Sequence, residues 1–165
     1  MARPYVVGLL TPFTVGRGYS EAVHIPAPAA GAVATYRVAG GDFERLRTIS
    51  FQLVTAAAAA NRIATVSILD QDAAVIARVA APFLLTAAHT GRFLFGIGVQ
   101  QAGVNDGATI NGLLPELFLQ PGWSVVIGVT GVQAADQLSG IVLYRERFPT
   151  GPEGYEYGPG VENGG

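Results

Sequence analysis

One stretch constrains this chain more than any other: Arg47-Thr48-Ile49-Ser50-Phe51-Gln52-Leu53, in which every second side chain from Ile49 is apolar. Successive side chains of a strand point to opposite faces, so Ile49, Phe51 and Leu53 share one face and Thr48, Ser50 and Gln52 the other. The same period marks Val33 to Val38, Ile63 to Leu69 and Ala74 to Val79. It returns at Arg92 to Val99, with Phe93, Phe95, Ile97 and Val99 on one face, and briefly at Glu116 to Leu119. Trp123, Val125, Ile127 and Val129 line the inside of a further strand, and Gln137 to Phe148 makes the last. About eight strands joined by short turns predict an all-β fold, an antiparallel β-sandwich of jelly-roll-like kind.

The punctuation between the strands agrees. Gln120-Pro121-Gly122 reads as a type II turn, with Pro pre-setting one central residue and Gly accepting positive φ at the next. Asp70-Gln71-Asp72 reads as a polar hairpin turn, and Asn105-Asp106-Gly107 with Asn111-Gly112 marks an irregular connection. The five alanines from Ala56 to Ala60 favour helix by propensity. Their run spans under two helical turns between two strong strands, so it reads as a connecting loop.

Three segments follow from this pattern. Residues 1–31 read as an extended N-terminal arm, because Pro4, Pro12, Pro26 and Pro28 with Gly16, Gly18 and Gly31 interrupt any long element. Its apolar pieces, Tyr5-Val6-Val7, Leu9-Leu10 and Val23-His24-Ile25, suit grooves or sheet edges, and the arm is expected to order only through contacts outside the sandwich. Residues 32–150 form the sandwich. Residues 151–165 read as a flexible Gly/Pro-rich acidic tail, with Glu153, Glu156 and Glu162, whose Tyr155 and Tyr157 are candidate anchors on a neighbour.

Composition narrows the function. With 50% hydrophobic residues, the chain is too apolar to be disordered. Charged residues make up only 13%, against about 25% in an ordinary domain, so much of the surface is uncharged or covered by other subunits. Ten arginines against 12 acidic residues give a net charge of −2, which argues against a dedicated nucleic-acid binder. Every basic residue is arginine, and with abundant Ala, Gly and Pro this fits a GC-rich genome. Lacking lysine and cysteine, the chain has no P-loop lysine, Schiff base, thiol nucleophile or cysteine zinc site. Tyr5 to Leu10 is far too short to span a bilayer, and the start lacks a signal-peptide pattern, so synthesis in the cytoplasm and no membrane partner are expected.

The remaining candidates for chemistry have plainer readings. His24 and His89 are the only histidines and read as solvated or packing residues. Asp70 and Asp72 start like a calcium loop, but Ala74 stands where the next oxygen ligand belongs. Gly96, Gly98 and Gly103 are misplaced for a dinucleotide fingerprint and read as small residues that let another layer approach. No serine lies in a nucleophile elbow. No catalytic residue, cofactor or metal is therefore expected. Arg45, Arg47, Arg145 and Arg147 interleave with Glu44 and Glu146, which reads either as paired surface charge or as a contact patch for a partner.

Two longer runs carry a family resemblance. The first is Leu46-x-x-Ile49-Ser50-Phe51-x-Leu53-Val54-Thr55, then Ala60-Asn61-Arg62, then Val66-x-Ile68-Leu69-Asp70. The second is Leu119-x-Pro121-Gly122-x-Ser124-Val125 with Ala135-Asp136-Gln137-Leu138-Ser139-Gly140-Ile141-Val142-Leu143. Over residues 43–148 the chain resembles small jelly-roll virion structural proteins of bacteriophages that infect GC-rich actinobacteria. The resemblance implies a non-enzymatic virion protein that decorates or cements the capsid and contacts the major capsid protein or other virion proteins. The low charge and 50% apolar residues already predict a symmetric homo-oligomer that covers uncharged faces, and the resemblance makes a trimer the first choice. The expected contact residues are Tyr5, Val6 and Val7 in the arm, Arg145, Arg147 and Phe148 at the last strand, and Tyr155 and Tyr157 in the tail. Two alternatives stand beside it: a tail, collar or fibre-base component of the virion, and a carbohydrate-binding β-sandwich that recognises the host surface.

Overall fold

In the computed structural model, residues 19–100 and 109–149 are described. They form ten strands and no helix: β1 (Tyr19–Ile25), β2 (Ala34–Arg37), β3 (Asp42–Val54), β4 (Ile63–Leu69), β5 (Val75–Ala80), β6 (Thr90–Gly96), β7 (Thr109–Leu113), β8 (Phe118–Leu119), β9 (Ser124–Thr130) and β10 (Gln137–Pro149). One sheet runs β1-β10-β3-β6-β7, with β8 paired to the start of β3, and the other runs β2-β9-β4-β5. The protein is an all-β sandwich, as the alternation predicts.

The core is the space between the two inner faces. Ile49, Phe51 and Leu53 of β3 and Phe93 and Phe95 of β6 come from the first sheet, Val66 and Ile68 of β4 and Val125 and Ile127 of β9 from the second, all 3% exposed or less. Phe51 lies against Phe93 and Phe95 in stacked geometry, with centroids 5.2 and 5.9 Å away. Burying aromatic side chains of this size is the largest single apolar contribution a small core can collect.

Several expectations change. Tyr19–Ile25, assigned to the arm, is a strand whose seven residues pair with Arg147 to Ile141 of β10, so this part of the arm orders within the sandwich and not outside it. The other arm residues before Tyr19, Tyr5, Val6 and Val7 included, lie outside the described residues, as does the tail with Tyr155 and Tyr157. Asn111-Gly112, read as part of a loop, belongs to β7, which pairs parallel to β6 with Asn111 opposite Leu94. The sandwich is therefore not purely antiparallel. The third strand starts at Asp42, five residues ahead of the alternating run. Trp123 is only half-buried, packing on the core from its margin. β6 stops at Gly96, and Gly98 sits in a turn at φ 70°, with open space where a side chain would go.

The turns follow their chemistry. Trp123 N donates to Gln120 O at 3.0 Å, and Gly122 has φ 84°, the geometry of a type II turn. Asp70 Oδ1 accepts from the backbone N of Asp72 and Ala74 at 2.9 and 2.8 Å, which closes the β4–β5 hairpin. The alanine run is an irregular loop.

Register sorts the connections between two ends. Ile25 lies opposite Ile141, Val54 opposite both Gln137 and Thr90, and Ile63 opposite Thr130. The loops 26–33, 55–62, 81–89 and 131–136 thus gather at one end. The starts of β1 and β3, the end of β10, and the β4–β5 and β8–β9 turns occupy the other.

Candidate functional site

At the second end, cross-strand pairing brings together many of the charged side chains among the described residues. On β10, Arg147 lies opposite Glu44 and Glu146 opposite Arg45 of β3, while Glu21 of β1 lies opposite Arg145. The interior side of this end holds Glu44, which is 1% exposed. Tyr36, reaching over from β2 in the other sheet, donates its hydroxyl to Glu44 Oε1 and Oε2 at 2.7 and 2.9 Å. Arg145 contacts Glu44, Glu21 and the Tyr36 hydroxyl, and its guanidinium lies 5.2 Å from the Tyr36 ring centroid. Arg147 Nε donates to Asp42 Oδ2 at 2.6 Å.

Burial and the neighbouring negative charge of Asp42 push the Glu44 carboxyl up to about 7, with Arg147 pulling the other way. The Asp42 carboxylate and charges nearby raise the already high pKa of Arg147. On the exterior side, Arg45 pairs with Glu116 and Arg47 with Glu146, and the Arg45 guanidinium stands 5.9 Å from the Phe118 ring centroid. Phe148 packs against Phe118 at 5.7 Å and is only 7% exposed.

Of the three expected contact residues on the last strand, Arg145 and Phe148 are consumed by contacts within the chain, and the Arg147 side chain remains 41% exposed. The four arginines are thus paired charge, and the pairing bridges both sheets through Tyr36. His24 is exposed on β1, and His89 sits in loop 81–89 with Nδ1 2.7 Å from Ala87 O. Among the described residues, no cluster of three or more His, Asp or Glu has the spacing to hold a metal ion, and no helix is long and apolar enough to cross a membrane.

At the opposite end stands a further ion pair, of two residues that carry no functional signature in the sequence. Arg62 and Asp136 have side chains 0% and 1% exposed. Arg62 Nε donates to Asp136 Oδ2 at 3.0 Å and Nη2 to Oδ1 at 3.1 Å, a bidentate fork. Asp136 also accepts from Ala56 N and Gln133 N, each at 2.7 Å. Burial alone would raise its pKa, but the bonds from Arg62, Ala56 and Gln133 and the Arg62 charge outweigh burial and lower it. Arg62 is completed by Ala60 O at 2.8 Å and Ala56 O at 3.3 Å. A signal was present in the sequence: each is the single charge in an otherwise uncharged, alanine-rich loop, and such a charge is kept only where it has a partner.

Compared with protein-family models, with curated proteins and with solved structures, the chain finds no match.

Proposed function

We propose that the protein is a non-enzymatic structural component of a bacteriophage particle, one that decorates or cements the capsid as a homo-oligomer. The observation that supports it most is how the charge is used. The buried carboxylates Glu44, Asp42 and Asp136 each accept from arginine in the same chain, so the ionic groups act as staples of a rigid β body, while one end offers an uncharged surface. The strand order supports the finer fold reading. With β7 and β8 set aside, β1-β10-β3-β6 faces β2-β9-β4-β5, the wrap of two Greek keys that makes a jelly roll. Such a body carries function on its loops and edges. Mass spectrometry of purified particles tests the reading. A copy number commensurate with the shell lattice supports it; absence from the particle, or only a few copies as for a tail or collar part, sinks it.

A further inference from the structure

The four loops gathered at the end stapled by Arg62 and Asp136 form a surface of unusual composition. Twenty of their residues are exposed, and none is charged. Among them only Asn61, Thr86 and His89 are polar; the rest are Ala, Pro, Gly, Val, Phe and Leu. Val33 is 54% exposed, Leu84 48%, Phe83 42% and Val132 39%. At the other end lie Glu21, Asp42, Glu44, Asp70, Asp72, Glu116 and Glu146, every acidic residue described except Asp136. Contiguous exposed apolar surface of this kind marks a contact site, since water gains nothing by wetting it.

The surface is also pre-built. Gly31 N donates to Asp136 O at 2.7 Å, and Gln137 Nε2 to Pro28 O at 2.8 Å, which fastens loop 26–33 to loop 131–136. The Arg62–Asp136 pair fastens loop 55–62 to loop 131–136, and a Cβ on Gly131 would stand 2.3 Å from Asn61 O, so the two backbones touch. Arg62 and Leu85 exchange backbone bonds, and Thr55 Oγ1 donates to Thr86 O at 2.7 Å, which fastens loop 81–89. Loops held this way have little freedom left to lose on binding.

We propose that this uncharged end is a self-association surface on which a second copy of the chain seats, like face on like face. The inference rests on the homo-oligomer in the proposed function, though not on residence in a virion. Three observations select a second copy. The described residues of this face carry no charge and meet their own image without repulsion, whereas most protein surfaces would leave their charges desolvated against them. Its alanines and glycines let two backbone surfaces approach closely around the protruding Phe83, Leu84 and Val132. Twenty exposed residues match the 20–30 per side, about 800 Å² per partner, of a standard stable interface. Like on like generates a two-fold pair, in place of the trimer that the virion analogy favours.

Light scattering and sedimentation of the full chain at micromolar concentration test this. The expected mass is that of a dimer, unchanged between about 0.05 and about 0.5 M salt because no charge crosses the contact. Phe83→Asp and Val132→Asp, both at exposed positions, should raise the dimer dissociation constant more than ~100-fold with the melting temperature of the monomer fold retained. Tyr144→Ser, on the outer face of the first sheet, should leave the mass unchanged. A monomer or trimer, or a dimer indifferent to both aspartates or dissolved by salt, overturns the proposal. Particle mass spectrometry reads the virion hypothesis separately, so the two fail independently.

Discussion

Removing the carboxylate of Asp136 is the sharpest test of how the loop end is held. In Asp136→Ala, Arg62 keeps Ala60 O and Ala56 O as acceptors, but its Nε loses its acceptor and its charge loses its counter-charge. The Ala56 and Gln133 amides lose theirs too. Breaking a fully buried pair from one side costs about 3–5 kcal/mol, because the remaining ion is stranded in low dielectric. The orphaned amides overlap with that figure, so about 4 kcal/mol is the working value, a large share of the 5–15 kcal/mol that holds a domain together.

Urea melts at neutral pH read it directly. With a slope of about 2 kcal/mol/M, the midpoint falls by about 2 M. A drop under about 0.5 M would refute the reasoning. The double variant Arg62→Met/Asp136→Leu removes the stranded charge but leaves the two amides unpaired, so it should cost less than the single change, about 2 kcal/mol. A double variant worse than the single one contradicts the electrostatic account. The pH dependence adds a further arm. A carboxyl lowered in the folded state stabilises above its ordinary value of 3.8 and loses that contribution as pH falls through the folded value. Wild type should show this acid loss and Asp136→Ala should lack it.

Glu44 works in the opposite direction. Its folded carboxyl titrates at about 7 against an ordinary 4.5, so between these values the folded state holds a proton that the unfolded state has released, and stability falls as pH rises through the window. The span corresponds to at most ~3 kcal/mol, and Glu44→Gln should flatten that slope in melts taken from about pH 5 to about pH 8; a slope parallel to wild type would contradict the assignment. Gly112→Ala places a Cβ 2.4 Å from two atoms of the Phe95 ring, which is wholly buried and stacked on Phe51. The overpacking should cost about 1–3 kcal/mol. Gly91→Ala, which meets the rotatable methyls of Leu85, should cost less, and equal costs would show that the ring moves freely.

What the sequence discloses of this fold depends on whether local chemistry and tertiary packing agree. The middle of β3 is legible because one face is buried and the other wet, which writes the period directly into the residue types. Gln120-Pro121-Gly122 is legible because only Gly tolerates the φ its position requires. β1 is legible only in part: Val23-His24-Ile25 suits a sheet edge, but with Val23 and Ile25 half-buried, prolines close by and its partner β10 over a hundred residues away, its place within the sandwich is not. Asn111-Gly112 is misread because Asn-Gly is a strong local turn signal. Here Gly112 is a glycine for a tertiary reason, since the Phe95 ring occupies the space of its side chain.

The charged end was illegible for a more specific reason. If the phase of Ile49, Phe51 and Leu53 is carried back along β3, Arg47, Arg45 and Phe43 fall inside and Glu44 and Asp42 in solvent. The structure shows the reverse, with Asp42 and Glu44 4% and 1% exposed. Pairing explains it: Tyr144 lies opposite Thr48 while Arg145 lies opposite Leu46, so Arg47 is an extra residue, a bulge that shifts the parity of the strand. A second shift occurs on β10 between Ser139 and Val142, where Gly140 has φ 57° and lets Leu138 and Ile141 both face the core. Each bulge moves every later side chain to the other face. The first one turns two carboxylates inward, where they meet Arg145, Arg147 and Tyr36, and so converts a run that reads as surface charge into an internal staple between the sheets.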